Sequence, residues 1–433
     1  MSIFVKPQGN QPYGNGQQEY SISRLNLLRK VHPVKILLAT YWELPHLGGV
    51  WPLMSQLKES LESRGHEVDI MGNSNDYFHI INKNERLHKE TLMPLILSKL
   101  SRSCLALSPW IMQTEADRYC MELSAAYFGI ANYDLIHTHD AISSRALSRV
   151  KASHTPLVAS LHGSLPNEIR LLPKTNGLTP VQKEQLVDFY QTLELEGVQS
   201  STVTIASSQW MKNILTSQGV TPEQITVFPY GLDVNHFSKR MREKSDIVKP
   251  KGKKVIMYTG RLVHLKGIQY LLVALSKLHK ARSDWECWIV GEGEMGNNLI
   301  SFSMELGLSE YVKFLGSRND IPALMGMCDI YVQPSLQDNQ PYSVIEAQVA
   351  GKPVVTTYAG GLPEMVQHGV TGLISPHSEA ELLYQHLHLL LANDGFRKDL
   401  GRNAAEWGRT YWLLERNFEN TLDVYSQALA KRG

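Results

Sequence analysis

Short apolar runs alternate with amphipathic stretches along most of this chain, and the alternation predicts repeated strand–helix–strand units. Residues 34–39 (VKILLA) form a run that is apolar but for Lys35 near its start, as a strand buried on both faces requires. An amphipathic stretch from about residue 50 to 64 follows, Gly65-His66 ends it, and 67–71 starts the next strand. Further strands are predicted at 135–137, 157–161, 202–206 and 225–228, then at 255–259, 287–290, 312–315, 330–333, 353–356 and 373–374. Residues 85–130 differ: Leu, Met and Trp alternate there with Lys99, Arg102 and Arg118 at helical spacing, which predicts a covering helical pair. The segment 236–253 is charged and poor in large apolar residues, so it reads as a linker and solvated loop.

The expected architecture is therefore α/β, with two doubly wound halves facing across a cleft. Residues 1–32 are expected to be a flexible arm, 33–235 the first half and 236–409 the second. A C-terminal helix, about 410–433, is expected to pack back on the first half. The length of 433 residues independently argues for two cores.

Composition narrows the function. Apolar residues make up 43% and the net charge is +1, so a nucleic-acid partner, which would want a basic chain, is not expected. The four cysteines, Cys104, Cys120, Cys287 and Cys328, form no C-x-x-C pair and suit a reducing compartment. The first 18 residues have no apolar segment of the secretory type, and no run approaches the ~20 apolar residues of a membrane helix. A cytoplasmic location is expected, with peripheral membrane contact left open.

The second half carries the densest chemistry. Gly260-Arg261 directly follows the run VIMYT, and Lys266-Gly267 come five residues later at a predicted helix start. Two cations at a strand's carboxyl end can grip a leaving pyrophosphate. Farther on, Pro341 fits the first turn of a helix, which would leave the amides of Tyr342, Ser343 and Val344 free for an anion. Glu346, one turn along, can accept both hydroxyls of a ribose, and Asp338, eight residues earlier, can reach a sugar. Gly360-Gly361 is expected to open another helix with close backbone approach.

The first half offers weaker signals. Gly48-Gly49 precede a helix after the first strand, and His162 ends another strand (SLHG). His137, His139 and Asp140 (IHTHD) cluster at a third strand end, where structural or substrate-contact roles are preferred over a metal. Gly291 to Gly296 matches G-x-G-x-x-G. It follows the second strand of its half, however, and Gly316 stands where an acidic residue would be wanted, so it reads as a turn rather than a dinucleotide site. No Asp-x-Asp pair occurs to hold a metal, and none is expected, nor any cofactor.

Together these motifs resemble the retaining glycosyltransferase family 4, of the GT-B fold. The resemblance rests on GRLVHLKG, VGEGE, DIYVQPS, the acid-x7-Glu block ending at Glu346, and GKPVVTTYAGGLPEMV, with looser matches in the first half. It implies transfer of a sugar from a nucleotide-diphosphate sugar, UDP-linked by preference, to an unidentified acceptor hydroxyl. It also implies that Arg261 and Lys266 bind the diphosphate, Glu346 the ribose, Asp338 and His162 the donor sugar, and Gly49 the phosphates. Two departures stand out: Asp338 replaces a Glu, and Tyr230 replaces a hinge Asn. The other expectations weighed are a two-domain sugar-nucleotide epimerase and a non-catalytic nucleotide-sugar-binding protein.

Overall fold

The computed structural model describes residues 33–44, 49–173 except 104–107, and 177–431, with side chains at 101–103 left out. The arm, Gly48 and Cys104 lie outside the described residues. Residues from Pro33 to Gly433 cluster as one compact unit.

Two sheets organise it. The first contains β1 (Lys35–Glu43), β2 (Glu67–Asn73), β3 (Tyr77–Ile80), β4 (Glu85–His88), β5 (Leu135–Thr138), β6 (Leu157–Leu161), β7 (Val203–Ala206) and β8 (Ile225–Val227). Their order across the sheet is β4-β3-β2-β1-β5-β6-β7-β8. The second contains β9 (Lys254–Thr259), β10 (Trp285–Val290), β11 (Val312–Phe314), β12 (Ile330–Gln333), β13 (Val354–Thr357) and β14 (Gly372–Ser375), in the order β11-β10-β9-β12-β13-β14. Each predicted strand is present within a few residues of its expected bounds.

The second sheet is parallel throughout. Ile256 and Tyr258 point into one core layer, Val255 and Met257 into the other, so both faces are covered. The first sheet departs from a purely parallel expectation. β3 and β4 pair antiparallel at its edge, because β2 returns through a tight turn rather than a helix. Residues 85–130 accordingly begin with β4, and only then give the helices Lys89–Ser103 and Pro109–Tyr127.

The expected linker is also partly regular. Asp233 caps a helix, Val234–Arg240, by accepting from the His236 amide at 2.8 Å, and Phe237 is buried beneath it. At the other end, the helix Asp394–Tyr411 stays on the second sheet. The chain crosses at Trp412-Leu413, where Leu232 N–H donates to the Trp412 carbonyl at 2.9 Å. The last helix, Leu414–Ala430, then lies against β6 of the first sheet.

Each sheet reverses its winding once, between β1 and β5 and between β9 and β12. Ligands of doubly wound folds bind outside the carboxyl ends of strands at that switch point. Both switch points open on residues already singled out: Gly49 and His137 to Asp140 in one half, Gly260-Arg261 and Asp338 in the other.

Candidate functional site

In the second half the chain leaves β9 at Gly260, runs through exposed Arg261, and turns once at His264–Lys266 before the helix Ile268–Ala281. Gly267, at φ 70°, caps that helix. A Cβ there would lie 1.9 Å from the Pro334 carbonyl oxygen, so the loop after β12 passes directly over it. Gly360, at φ 61°, does the same from the other side: its Cβ would lie 1.8 Å from the Asp338 carbonyl oxygen. The acidic loop is thus clamped between two glycines.

That clamp delivers Asp338 to Lys266. The Lys266 ammonium donates to Asp338 Oδ2 at 2.6 Å, and Gln333 Nε2 and Ser335 Oγ donate to the same oxygen at 3.1 Å each. Buried Gln333 also joins this cluster to the next helix, because its Oε1 accepts from Tyr331 at 2.6 Å and from Ser343 Oγ at 3.3 Å. Lys266 is therefore a paired cation, while Arg261 stands exposed with its carbonyl accepting from Tyr258.

The helix spans Tyr342–Val349, with Pro341 as the residue before it rather than within its first turn. This changes the anion site. The Val344 amide donates to the Pro341 carbonyl at 3.1 Å, so it is not free. Only Tyr342 and Ser343, the first two helical residues, keep amides with no intrahelical acceptor. Glu346 lies one turn along, and burial raises its carboxyl to about 7 against the opposing pull of Arg240.

The G-x-G-x-x-G run has a packing explanation. A Cβ on Gly291 would meet the Gly260 carbonyl oxygen at 2.0 Å, and one on Gly293 the Leu262 oxygen at 2.5 Å. Leu262 N–H donates to Glu292 O, and Met295 N–H to Leu262 O. The glycines seat the Arg261 loop.

In the first half, Gly49 precedes the helix Val50–Glu62, and a Cβ on it would meet the Tyr342 ring at 2.9 Å. Tyr342 also stacks on Tyr230, with centroids 5.2 Å apart and planes at 8°. Tyr230 hydroxyl bonds His162 Nδ1, and His162 Nε2 lies 3.3 Å from His139 Nδ1. His137 bonds Tyr425 of the last helix and Ser160, each at 2.7 Å. Burial holds His162 down at about 4 and His137 at about 3, and pushes His139 well below the usual range. All three are neutral near pH 7, so they act through hydrogen bonds and not charge. Asp140 is structural: it caps the helix Ala141–Ser148 and accepts from Thr40 and from the Tyr41 amide. Among the described residues, no group of three or more His, Cys, Asp or Glu is placed to hold a metal ion.

The residues beside Asp338 reach across the cleft, which sequence reasoning missed. Buried Asn339 donates to Ser207 Oγ at 2.9 Å and to the His162 carbonyl at 3.3 Å. Gln340 donates to the Ser207 carbonyl at 2.7 Å and accepts from the Tyr230 amide at 3.0 Å. Glu364, just past Gly360-Gly361, accepts from the amides of Gln209 and Trp210 at 2.8 and 2.6 Å, at the start of the helix Gln209–Ser217. The one available signal was two amide side chains, unusual beside an acid, at a strand's carboxyl end.

Two family models cover this architecture. One, "Glycosyltransferase Family 4", matches residues 47–236, and the other, "Glycosyl transferases group 1", matches residues 239–407. The chain belongs to the family 4, group 1 glycosyltransferases. This glycosyltransferase is 26% identical over 415 residues to an uncharacterized glycosyltransferase of Methanocaldococcus jannaschii, covering 92% of this chain and all of that one. It is 28% identical over 324 residues to the D-inositol 3-phosphate glycosyltransferase of Corynebacterium kroppenstedtii, covering 69% and 68%. Solved structures share the GT-B fold: sucrose-phosphate synthase from Thermosynechococcus elongatus at TM-score 0.70 and 18% identity, over 92% of this chain and 99% of that one. Anabaena HepE in complex with UDP-glucose follows at 0.63 and 21%, over 91% and 100%. No helix among the described residues is long and apolar enough to cross a membrane.

Proposed function

We propose that this glycosyltransferase moves a sugar from a UDP-sugar to an acceptor hydroxyl with retention at the anomeric carbon and without a metal ion. The observation that carries the reading is the second half's switch point. Lys266, Arg261 and the start of the helix Tyr342–Val349 converge there, with Glu346 one turn along. Arg261 and Lys266 hold the diphosphate with the Tyr342 and Ser343 amides, and Gly49 closes over the phosphates from the first half. Glu346 accepts the ribose hydroxyls. His162 and Asp338 contact the transferred sugar.

Charge builds on the diphosphate as the glycosidic bond breaks, and fixed cations and amides stabilise it there. The acceptor hydroxyl attacks the face that the diphosphate leaves, and a diphosphate oxygen takes its proton. Lys266 must then share its ammonium between Asp338 and phosphate. The preference for UDP is supported by the UDP-glucose bound to the similarly folded HepE.

A thermal-shift series with UDP, GDP, ADP and dTDP, each with and without EDTA, tests the reading. UDP at 100 times its Kd should add about 2.7 kcal/mol of stability, unchanged by EDTA. A response only with added Mg²⁺ or Mn²⁺ would overturn metal independence. Unimpaired transfer by both Lys266→Ala and Glu346→Ala would sink the site.

A further inference from the structure

One acid beside this site has no role so far. Glu168 lies in the short helix Leu165–Arg170 of the first half, four residues after Ser164. Its Oε1 sits 3.1 Å from where a Cβ on Gly163 would be, so its carboxylate rests over that glycine. Gly163 itself is held against the acidic loop. The His162 carbonyl accepts from Asn339 Nδ2 at 3.3 Å, and the Ser164 carbonyl accepts from Gln337 Nε2 at 3.4 Å. Residues 162 and 164 thus bond 339 and 337, which brings Gly163 up against Asp338. Beneath, Ser164 Oγ donates to Glu194 at 3.1 Å, which anchors the segment.

The charges agree with that placement. Burial raises Glu168, the positive charges of Lys266 and Arg261 lower it, and Asp338 raises it, so all three lie within electrostatic reach. Among the described residues, nothing donates a hydrogen bond to the Glu168 carboxylate and no cation pairs with it. Asp338, by contrast, has Oδ2 committed to Lys266, Gln333 and Ser335. A part-buried carboxylate left open beside a sugar site needs donors from a ligand.

We propose that Glu168 is a specificity-determining contact to the transferred sugar, accepting hydrogen bonds from hydroxyls of a neutral hexose and turning away a hexuronate. It rests on the reading of this cleft as a sugar-nucleotide site. A hydroxyl pair satisfies the carboxylate, whereas a second carboxylate brought between Glu168 and Asp338 meets like charge on both sides. It also supplies reach that Asp338, one methylene shorter than Glu, lacks.

Calorimetry on the full chain with UDP, UDP-glucose and UDP-glucuronate tests it. Glu168→Ala should weaken UDP-glucose ~10-fold or more while UDP stays within about twofold, because only the sugar increment is lost. Glu168→Gln keeps the shape and removes the charge, so UDP-glucuronate should gain ~10-fold relative to UDP-glucose. Equal weakening of UDP and UDP-glucose by the Ala variant, or an unaltered glucuronate-to-glucose ratio in the Gln variant, would overturn the assignment. So would variants whose only change is a higher acceptor KM, which would place Glu168 on the acceptor. Absence of UDP binding by the parent protein would overturn the sugar-nucleotide reading itself, and this inference with it.

Discussion

In the second half of this glycosyltransferase the site is shaped by backbone passing against backbone. Gly267 and Gly360 clamp the acidic loop, and Gly291 and Gly293 seat the Arg261 loop. In the first half it is shaped by side chains far apart in sequence: His162 on Tyr230, His137 on Tyr425, Asn339 on Ser207. The first construction resists change at single positions without side chains. The second can yield one hydrogen bond at a time. The sharpest way to break this contrast is to add one methyl to each wall. Gly360→Ala and Gly267→Ala each force a Cβ against a carbonyl oxygen at a positive φ, so each should cost about 3 kcal/mol or more by urea unfolding. Gly49→Ala meets the Tyr342 ring at 2.9 Å and no backbone, at an ordinary negative φ, and should cost less, about 1–2 kcal/mol. Equal losses at Gly49 and Gly360 would erase the distinction.

The same contrast should appear in binding. On the proposed reading Lys266→Ala removes a cation from the diphosphate site and should weaken UDP on the order of 100-fold, about 2.7 kcal/mol, by calorimetry. His162→Ala removes a neutral ring assigned on the same reading to the sugar, and should leave UDP within about threefold. If the histidine variant proved the weaker UDP binder, the diphosphate would lie on the first half's side.

This difference also explains what the sequence could tell. Strands such as 255–258 and 330–332 announce themselves because a strand covered on both faces must be almost wholly apolar. The positions of Arg261, Lys266, Asp338 and Glu346 were legible for a related reason: each lies just past a strand or within the first two turns of the helix that follows, so local spacing places it. β3 and β4 escaped because they are short edge strands, and Glu85–His88 is mostly exposed, leaving no apolar signal. The Tyr230–His162, Gln340–Tyr230 and Glu364–Trp210 pairs escaped because their partners are 68, 110 and 154 positions apart. No local pattern encodes such a contact. The Val344 amide was misread for a subtler reason: whether Pro341 lies before or inside the first turn decides which amide is spent.

Titration separates the two kinds of buried group. Glu194, only 3% exposed, is raised from its ordinary 4.5 to about 7, chiefly by burial. Between those values the folded state holds a proton that the unfolded chain has released, so stability falls as pH rises through the window. The ceiling is about 1.4 kcal/mol per pH unit, and about 2 kcal/mol in all is a fair expectation. His162 runs the other way: lowered from 6.5 to about 4, its contribution is present above 6.5 and lost as pH falls toward 4. Glu194→Gln should therefore flatten the decline of Tm between pH 5 and about 7 relative to the parent. An unchanged pH profile would show that Glu194 titrates normally.

The smallest expected effect is the most informative about how the walls communicate. Asn339 Nδ2 donates to Ser207 Oγ, and the Tyr230 amide donates to Gln340 Oε1. The Tyr230 hydroxyl then donates to His162 Nδ1, and His162 Nε2–H points at His139 Nδ1. In this direction each link has one donor and one acceptor, and the chain ends at His139 Nε2, which is buried with no partner among the described residues. In this direction Tyr230, whose amide is held by Gln340 of the other half, sets the His162 tautomer. Tyr230→Phe keeps the ring stacked on Tyr342 and removes the middle link. It should cost about 1 kcal/mol of stability and leave UDP affinity unchanged. The decisive readout is the ¹⁵N spectrum of His162: one tautomer in the parent protein and a mixture in the variant. A single unshifted tautomer in Tyr230→Phe would mean that His139 alone orients the ring, and that the two walls are joined by the Asn339 and Gln340 contacts without a path into the histidines.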